Sequence, residues 1–172
     1  MNSDFKDLLK LFDACEVRYL VVGGYAVMKY GEPRYTKDLD VWIDATSTNA
    51  RTVFKALKEF GAPLLGLTEG DFAQPGSIYQ MGRPPVRIDI LTSIEGVLFD
   101  VAWSSRVETD FDGVSAHLIS LHHLILNKRT LARPQDLIDV NGLIAAEKNL
   151  DKLKGERKSK KGDSKNRGEG VD

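Results

Sequence analysis

Asp38 and Asp40 stand in the run Asp38-Leu39-Asp40-Val41-Trp42-Ile43. Its alternation puts Leu39, Val41 and Ile43 on one face of a strand and the two carboxylates, with Trp42, on the other. Like charges held that close resist burial unless a cation lies between them. A hard divalent ion meets that need, and Mg2+ takes carboxylate, water and phosphate oxygens. Arg87-Ile88-Asp89-Ile90 alternates in the same way and offers a third carboxylate from a later strand. Three carboxylates can hold two ions at roughly 3.5–4 Å, the spacing used for in-line phosphoryl displacement. Gly23-Gly24 closes the strand-like run from Val17 to Val22 just before a short helical stretch, where glycines let backbone amides approach an anion. Each feature alone has an ordinary alternative. Asp-x-Asp suits a solvated strand face, and a glycine pair suits a tight strand-to-helix turn. Their occurrence on successive core strands is what points to one site.

The elements that must position these residues follow from periodicity. Ser3 is a candidate N-cap for a helix carrying Phe5, Leu8, Leu9 and Phe12 on one face and ending near Cys15 or Glu16. A strand from Val17 to Val22 leads to the glycines, then a short helix from Tyr25 to Tyr30 and a loop at Gly31-Glu32-Pro33-Arg34. After the Asp-x-Asp strand, Thr46 or Ser47 can cap a helix with Val53, Phe54, Leu57 and Phe60 on its apolar stripe, closed by Gly61. Residues 61–85 read as a loop holding an edge strand or hairpin near Ser77–Met81, and Val86–Leu91 reads as a core strand. Asp112-Gly113 interrupts an alternation from Arg106 to His117 and suggests an antiparallel hairpin. Two helices follow, one from Ser120 and one beyond Pro134. The fold class expected is α/β (α+β), a small mixed sheet flanked by helices, with helices at the C-terminal end.

The 172 residues, 42% hydrophobic and 28% charged, suit one globular domain over residues 1–149. From 150 to 172 the composition turns to lysine, glycine, serine and glutamate, and this segment is expected to be a disordered tail. The formal net charge of -1 gives no general basic field for nucleic acid. A lone Cys15 excludes internal disulfides and multi-cysteine zinc sites and reads as a buried apolar side chain. No apolar run approaches the ~20 residues that span a bilayer, and the first ten residues are too charged for a secretory signal, so a cytoplasmic protein without membrane contact is expected.

Gly23-Gly24-Tyr25-Ala26, Arg34-x-Thr36-x-Asp38-Leu39-Asp40-Val41 and Arg87-Ile88-Asp89-Ile90-Leu91 together resemble the polymerase-beta-type nucleotidyltransferase superfamily. Within it the chain looks like the minimal nucleotidyltransferases related to abortive-infection and type IV toxin-antitoxin toxins. Leu124-Ile125-Leu126-Asn127-Lys128 and Ala132-Arg133-Pro134-Gln135-Asp136-Leu137-Ile138-Asp139 are similar to the helical segment of that group. The match runs over about residues 17–144, and the tail has no counterpart in it. The resemblance implies transfer of a nucleoside monophosphate from a nucleoside triphosphate to a hydroxyl of a tRNA end, a protein or a small molecule, with Mg2+ (or Mn2+) as cofactor. It implies a toxin role, with an antitoxin partner, as a further expectation. By the same resemblance Asp38, Asp40 and Asp89 hold the metal, and Asp89 assists loss of the acceptor proton. Gly23 and Gly24 contact phosphate through their amides, and Arg34, Thr36 and Lys128 contact the triphosphate. Gly24 stands where many members have serine, which removes a hydroxyl contact.

Other residues fit plainer roles. Adjacent His122 and His123 diverge on a helix and cannot chelate one metal as histidines one turn apart do. Trp42 and Trp103 can stack a base but also suit core packing. Arg133, Asp136 and Asp139 suit a helix-face salt-bridge set. The alternative to an enzyme is a non-catalytic nucleotide- or partner-binding module on the same fold. A manganese-dependent glycosyltransferase, which shares Asp-x-Asp, would need a larger donor domain than this length holds.

Overall fold

The computed structural model describes residues 1–31 and 35–165 of the chain. Helix α1 (Ser3–Ala14) is capped by Asn2, whose side chain accepts the Asp4 amide, so the cap lies one residue before the expected Ser3. Its stripe of Phe5, Leu8, Leu9 and Phe12 is fully buried. At roughly 1.5–3 kcal/mol for each such side chain, this stripe alone contributes on the scale of a whole domain's net stability. Cys15 is only half-buried, at the edge of the core.

Strand β1 (Tyr19–Val21) leads into α2 (Gly23–Tyr30), which begins two residues earlier than the periodicity suggests, so both glycines belong to its first turn. Strand β2 is Asp38–Ile43. Helix α3 (Ser47–Phe60) has Thr46 as its cap and ends on Gly61 at φ 85°, a left-handed position that glycine takes without strain. The expected loop contains a 3-10 helix, Glu69–Ala73, whose Thr68 and Asp71 bond reciprocally as a capping box. It is followed by a hairpin of β3 (Ile78–Arg83) and β4 (Val86–Leu91). Helix α4 (Phe99–Ser104) then precedes a second hairpin, β5 (Val107–Asp110) and β6 (Ser115–Leu118), turned by Asp112 and Gly113, both at positive φ. Helix α5 (Leu121–Leu131) is capped by Ser120, and α6 spans Pro134–Lys165.

The boundary expected after residue 149 therefore falls inside α6. The expectation of disorder rested on the lack of apolar side chains to bury. Lysine and glutamate are nonetheless good helix formers, and extending an existing helix is far easier than nucleating one. Residues 166–172 lie outside the described residues.

The strands form one mixed sheet in the order β3-β4-β2-β1-β6-β5. β2 pairs parallel with β4 and antiparallel with β1. The end of β1 and the beginning of β2 thus meet at one edge of the sheet, with β4 entering alongside. Leu39, Val41 and Ile43 are fully buried in the core that also takes the stripes of α1 and α3. The opposite strand ends are pinned by Asn49 of α3. Its side chain accepts the Arg18 amide (2.8 Å) and donates to the carbonyls of Arg18 (3.0 Å) and Asp44 (2.8 Å). Among the described residues no helix is long and apolar enough to cross a membrane.

Candidate active site

The register of β2 on β4 sets Asp38 opposite Arg87 and Asp40 opposite Asp89. All four side chains therefore leave the sheet on one face. The Val22 amide donates to the Asp40 carbonyl (3.0 Å), which brings the first turn of α2 directly over that residue. Gly23 sits there at φ +60°, and a Cβ on it would lie 2.0 Å from Asp40 Oδ2. Only glycine satisfies both the backbone angle and the space. The Gly24 amide donates to the Asp40 carboxylate, so α2 presents its positive end to that group. The glycine pair, expected to meet phosphate, in this structure meets the aspartate that would share the phosphate's cation.

Burial pushes the Asp40 carboxyl up to about 6, with Asp89 and Asp38 adding repulsion, while the Gly24 amide and the Lys128 ammonium oppose the rise. A site that holds three carboxylates this close lacks positive charge. One cation already present is Arg87. Its Nη2 donates to Asp38 Oδ2 (2.7 Å) and Asp89 Oδ2 (3.0 Å), and its Nε donates to Asp89 Oδ1 (2.8 Å). Gln80, from the neighbouring β3, adds a donor to Asp89 Oδ2 (3.1 Å). Asp38 Oδ1 is buried without a hydrogen-bond partner.

The two glycines, the three aspartates and Arg87 line a cleft of about 750 Å³. Its other wall comes from α5, the start of α6 and the loop after β4, with Lys128, Arg133, Gln135, Asp136 and Glu95 among its residues. Thr36 also lines it, its hydroxyl 3.4 Å from the Asp38 carbonyl. Arg34 lies outside the described residues. Lys128 is 5% exposed and bonded to Asp136 (2.7 Å) and Asp139 (3.0 Å). Burial alone would raise the Asp136 carboxyl, but Arg133 and Lys128 hold it below the usual carboxylate range. The set Arg133, Asp136 and Asp139 is thus more than a surface ladder, since its carboxylates are buried and clasp the lysine.

The donor set suits a hard divalent cation: the oxygens are carboxylate, one is orphaned, and two aspartates face each other in register. Among the described residues no group of three or more His, Cys, Asp or Glu side chains encloses a metal position as it stands. The arrangement fits an ion only once Arg87 withdraws from between Asp38 and Asp89.

Trp42 does not join the cleft. It is 2% exposed and packs edge-on against Phe99 of α4, with ring centroids 5.0 Å apart, so it is no base platform. Trp103 stacks on Phe99 and carries the Arg106 guanidinium 4.0 Å over its ring. His117 is bracketed by Glu108 and Asp13, and His123 bonds to Ser120 and Ser105, away from the aspartates. Sequence reasoning quoted Arg87 but gave it no task. Alternation with Asp89 was the available signal. Gln80 lies in the expected edge strand near Ser77–Met81, but its partner Asp89 depends on the pairing of β3 with β4.

The sequence profile of the family described as "Nucleotidyltransferase of unknown function (DUF6036)" matches residues 2–164. The chain belongs to that family. This nucleotidyltransferase shares its fold with the crystal structure of the lincosamide antibiotic adenylyltransferase LnuA bound to lincomycin, at a TM-score of 0.56 and 18% identity. That similarity covers 85% of this chain and 98% of the other. No curated protein matches. The profile extends to residue 164 and so takes in most of the segment that the resemblance left without a counterpart.

Proposed function

We propose that the enzyme transfers a nucleoside monophosphate, with ATP as the first donor to consider, to a hydroxyl of a small molecule, and that Mg2+ is its cofactor. The observation that carries this reading is the juxtaposition of Asp38, Asp40 and Asp89 on one sheet face under the N-terminus of α2. Asp38, Asp40 and Asp89 would hold the ion, which when bound neutralises charge on the triphosphate and the leaving pyrophosphate. Asp89 would accept the acceptor's proton as its oxygen attacks the α-phosphorus. Gly23 and Gly24 would contact a phosphate through amides of the first turn of α2 beside Asp40, with no side chain of their own in the way. Thr36 and Arg34 are assigned to the triphosphate. Lys128, clasped by two carboxylates, acts on it through its field as a fixed charge behind Asp40. Catalysis then rests on positioning and charge compensation, with no covalent protein intermediate.

Among the described residues lining the cleft, Asp38, Asp40, Asp89, Glu95 and Asp136 outnumber Arg87, Lys128 and Arg133, so the triphosphate enters together with its cation, and a neutral or cationic hydroxyl compound is the acceptor that adds no further negative charge. The solved relative of the same fold is an adenylyltransferase for an antibiotic, which supports this class of acceptor.

The test supplies the protein with Mg2+, each α-labelled nucleoside triphosphate, and separated RNA, protein and small-molecule fractions. Label in the small-molecule fraction, absent with Asp38→Asn/Asp40→Asn, is expected. Label in RNA or protein would instead favour the toxin-like role and the search for an antitoxin.

A further inference from the structure

Asp89 has both oxygens engaged, Oδ1 by Arg87 Nε and Oδ2 by Arg87 Nη2 and Gln80 Nε2. Asp38 has one oxygen on the same Nη2 and the other buried without a partner. The guanidinium therefore stands between two carboxylates from adjacent strands that would hold the ion. Register makes this unavoidable. Arg87 is the direct neighbour of Asp38 in the β2–β4 ladder and lies two residues from Asp89 on the same strand, so all three chains leave one face within reach of each other. Hydrogen bonds between a guanidinium and carboxylates are charge-assisted and about twice as strong as neutral ones, so the gap is held firmly.

We propose that Arg87 is the resident cation of the aspartate cluster: it holds Asp38 and Asp89 together until a divalent ion replaces it, and its departure is part of loading the enzyme. This rests on the reading of the aspartates as cation ligands. Arg87 is on this account a positioning residue that competes with the ion. The two cations compete, because Arg87 takes Asp38 Oδ2 and both oxygens of Asp89 and leaves an ion only Asp38 Oδ1 and Asp40. The orphaned Asp38 Oδ1 marks the same incompleteness, since a buried carboxylate oxygen without a donor is costly and gains a partner when an ion arrives. Nucleotide then favours the exchange, because its phosphates offer the displaced guanidinium a new bidentate partner.

A purely structural role for Arg87 makes the opposite prediction for ion affinity. If the guanidinium only shapes the ligand set, removing it loosens the carboxylates and weakens the ion. If it competes, removing it frees them. The experiment is calorimetric titration of Mn2+ alone into the full-length wild-type, Arg87→Gln, Arg87→Lys and Asp38→Asn/Asp40→Asn proteins, with thermal melts in EDTA and in Mn2+. Arg87→Gln is expected to melt lower than wild type in EDTA, to bind Mn2+ about tenfold tighter, and to recover melting temperature in Mn2+. Arg87→Lys, whose ammonium cannot bridge both carboxylates, is expected to bind Mn2+ a few-fold tighter, and it decides the matter if Arg87→Gln does not fold. Wild-type binding with unchanged or weaker affinity in the Arg87 variants overturns the competition and leaves the metal reading standing. Absence of Mn2+ binding in the wild type and every variant overturns both.

Discussion

Gly23 and Asp40 behave as one unit, because the glycine's missing side chain is the space the carboxylate occupies. Gly23→Ala would force a left-handed alanine, costing about 1–2 kcal/mol, and would also drive Cβ into Asp40. A drop of roughly 5 °C or more in melting temperature is expected, together with loss of Mg2+-dependent nucleotide binding. A variant that melts and binds as wild type would show that the two residues are not in contact. Asp136 gives the pH dependence. Its carboxyl titrates below its unfolded value, so its stabilisation is complete above the unfolded pKa near 4 and is lost as pH falls through the depressed folded value. Asp136→Asn should therefore lower stability at pH 7 by about 2 kcal/mol, less than a fully broken buried pair because Asp139 still holds Lys128. The gap between variant and wild type should close below about pH 4, as melts across pH would show. An unchanging gap would contradict the ion-pair origin.

At the scale of elements, the site depends on where β1 ends and β2 begins, and the far ends of those strands are fixed by Asn49. Asn49→Ala removes three hydrogen bonds and is expected to cost about 2–3 kcal/mol, or 5–10 °C, while nucleotide affinity at the other edge of the sheet stays as in wild type. Melting curves paired with nucleotide titration separate these outcomes, and a matched loss of affinity would show that the two strand ends are coupled. The strands that carry aspartates were legible from alternation, because a half-buried strand must alternate. The helices α1, α3 and α5 were legible from their apolar stripes, and α3 also from its Thr46 and Gly61 caps. Helix α4 was not: Phe99–Ser104 is too short to show a period, and it forms because Phe99 packs against Trp42 and Trp103 stacks on Phe99. The same packing explains Trp42, whose place on the carboxylate face left both base stacking and core packing open. The pairing of Lys128 with Asp136 and Asp139 joins two helices across a turn, which spacing along one helix could not reveal. Arg87's bridge to Asp38 likewise depends on strand register, which a single strand's sequence does not contain.

For the whole molecule, the proposed acceptor is a small hydroxyl compound, which adds no negative charge to a cleft whose described carboxylates already outnumber its cations. Residues 150–172 are proposed to be dispensable for the catalytic unit, although α6 runs on to Lys165. A chain ending at Asn149 is expected to melt within about 2 °C of full length, a difference below ~1 kcal/mol. A larger fall would mean that the end of α6 stabilises the domain.

Asp38, Asp40 and Asp89 are proposed to form a cation-dependent nucleotide site, which can be tested without knowing the acceptor. The measurement is calorimetric titration of a non-hydrolysable α,β-methylene ATP analogue into wild type and the Asp38→Asn/Asp40→Asn variant, each in Mg2+ and in EDTA, with circular dichroism to verify that the variant is folded. Binding by the wild type in Mg2+ alone, lost in the folded variant, is the predicted result. Equal binding in EDTA, or binding that survives loss of both aspartates, would contradict the account.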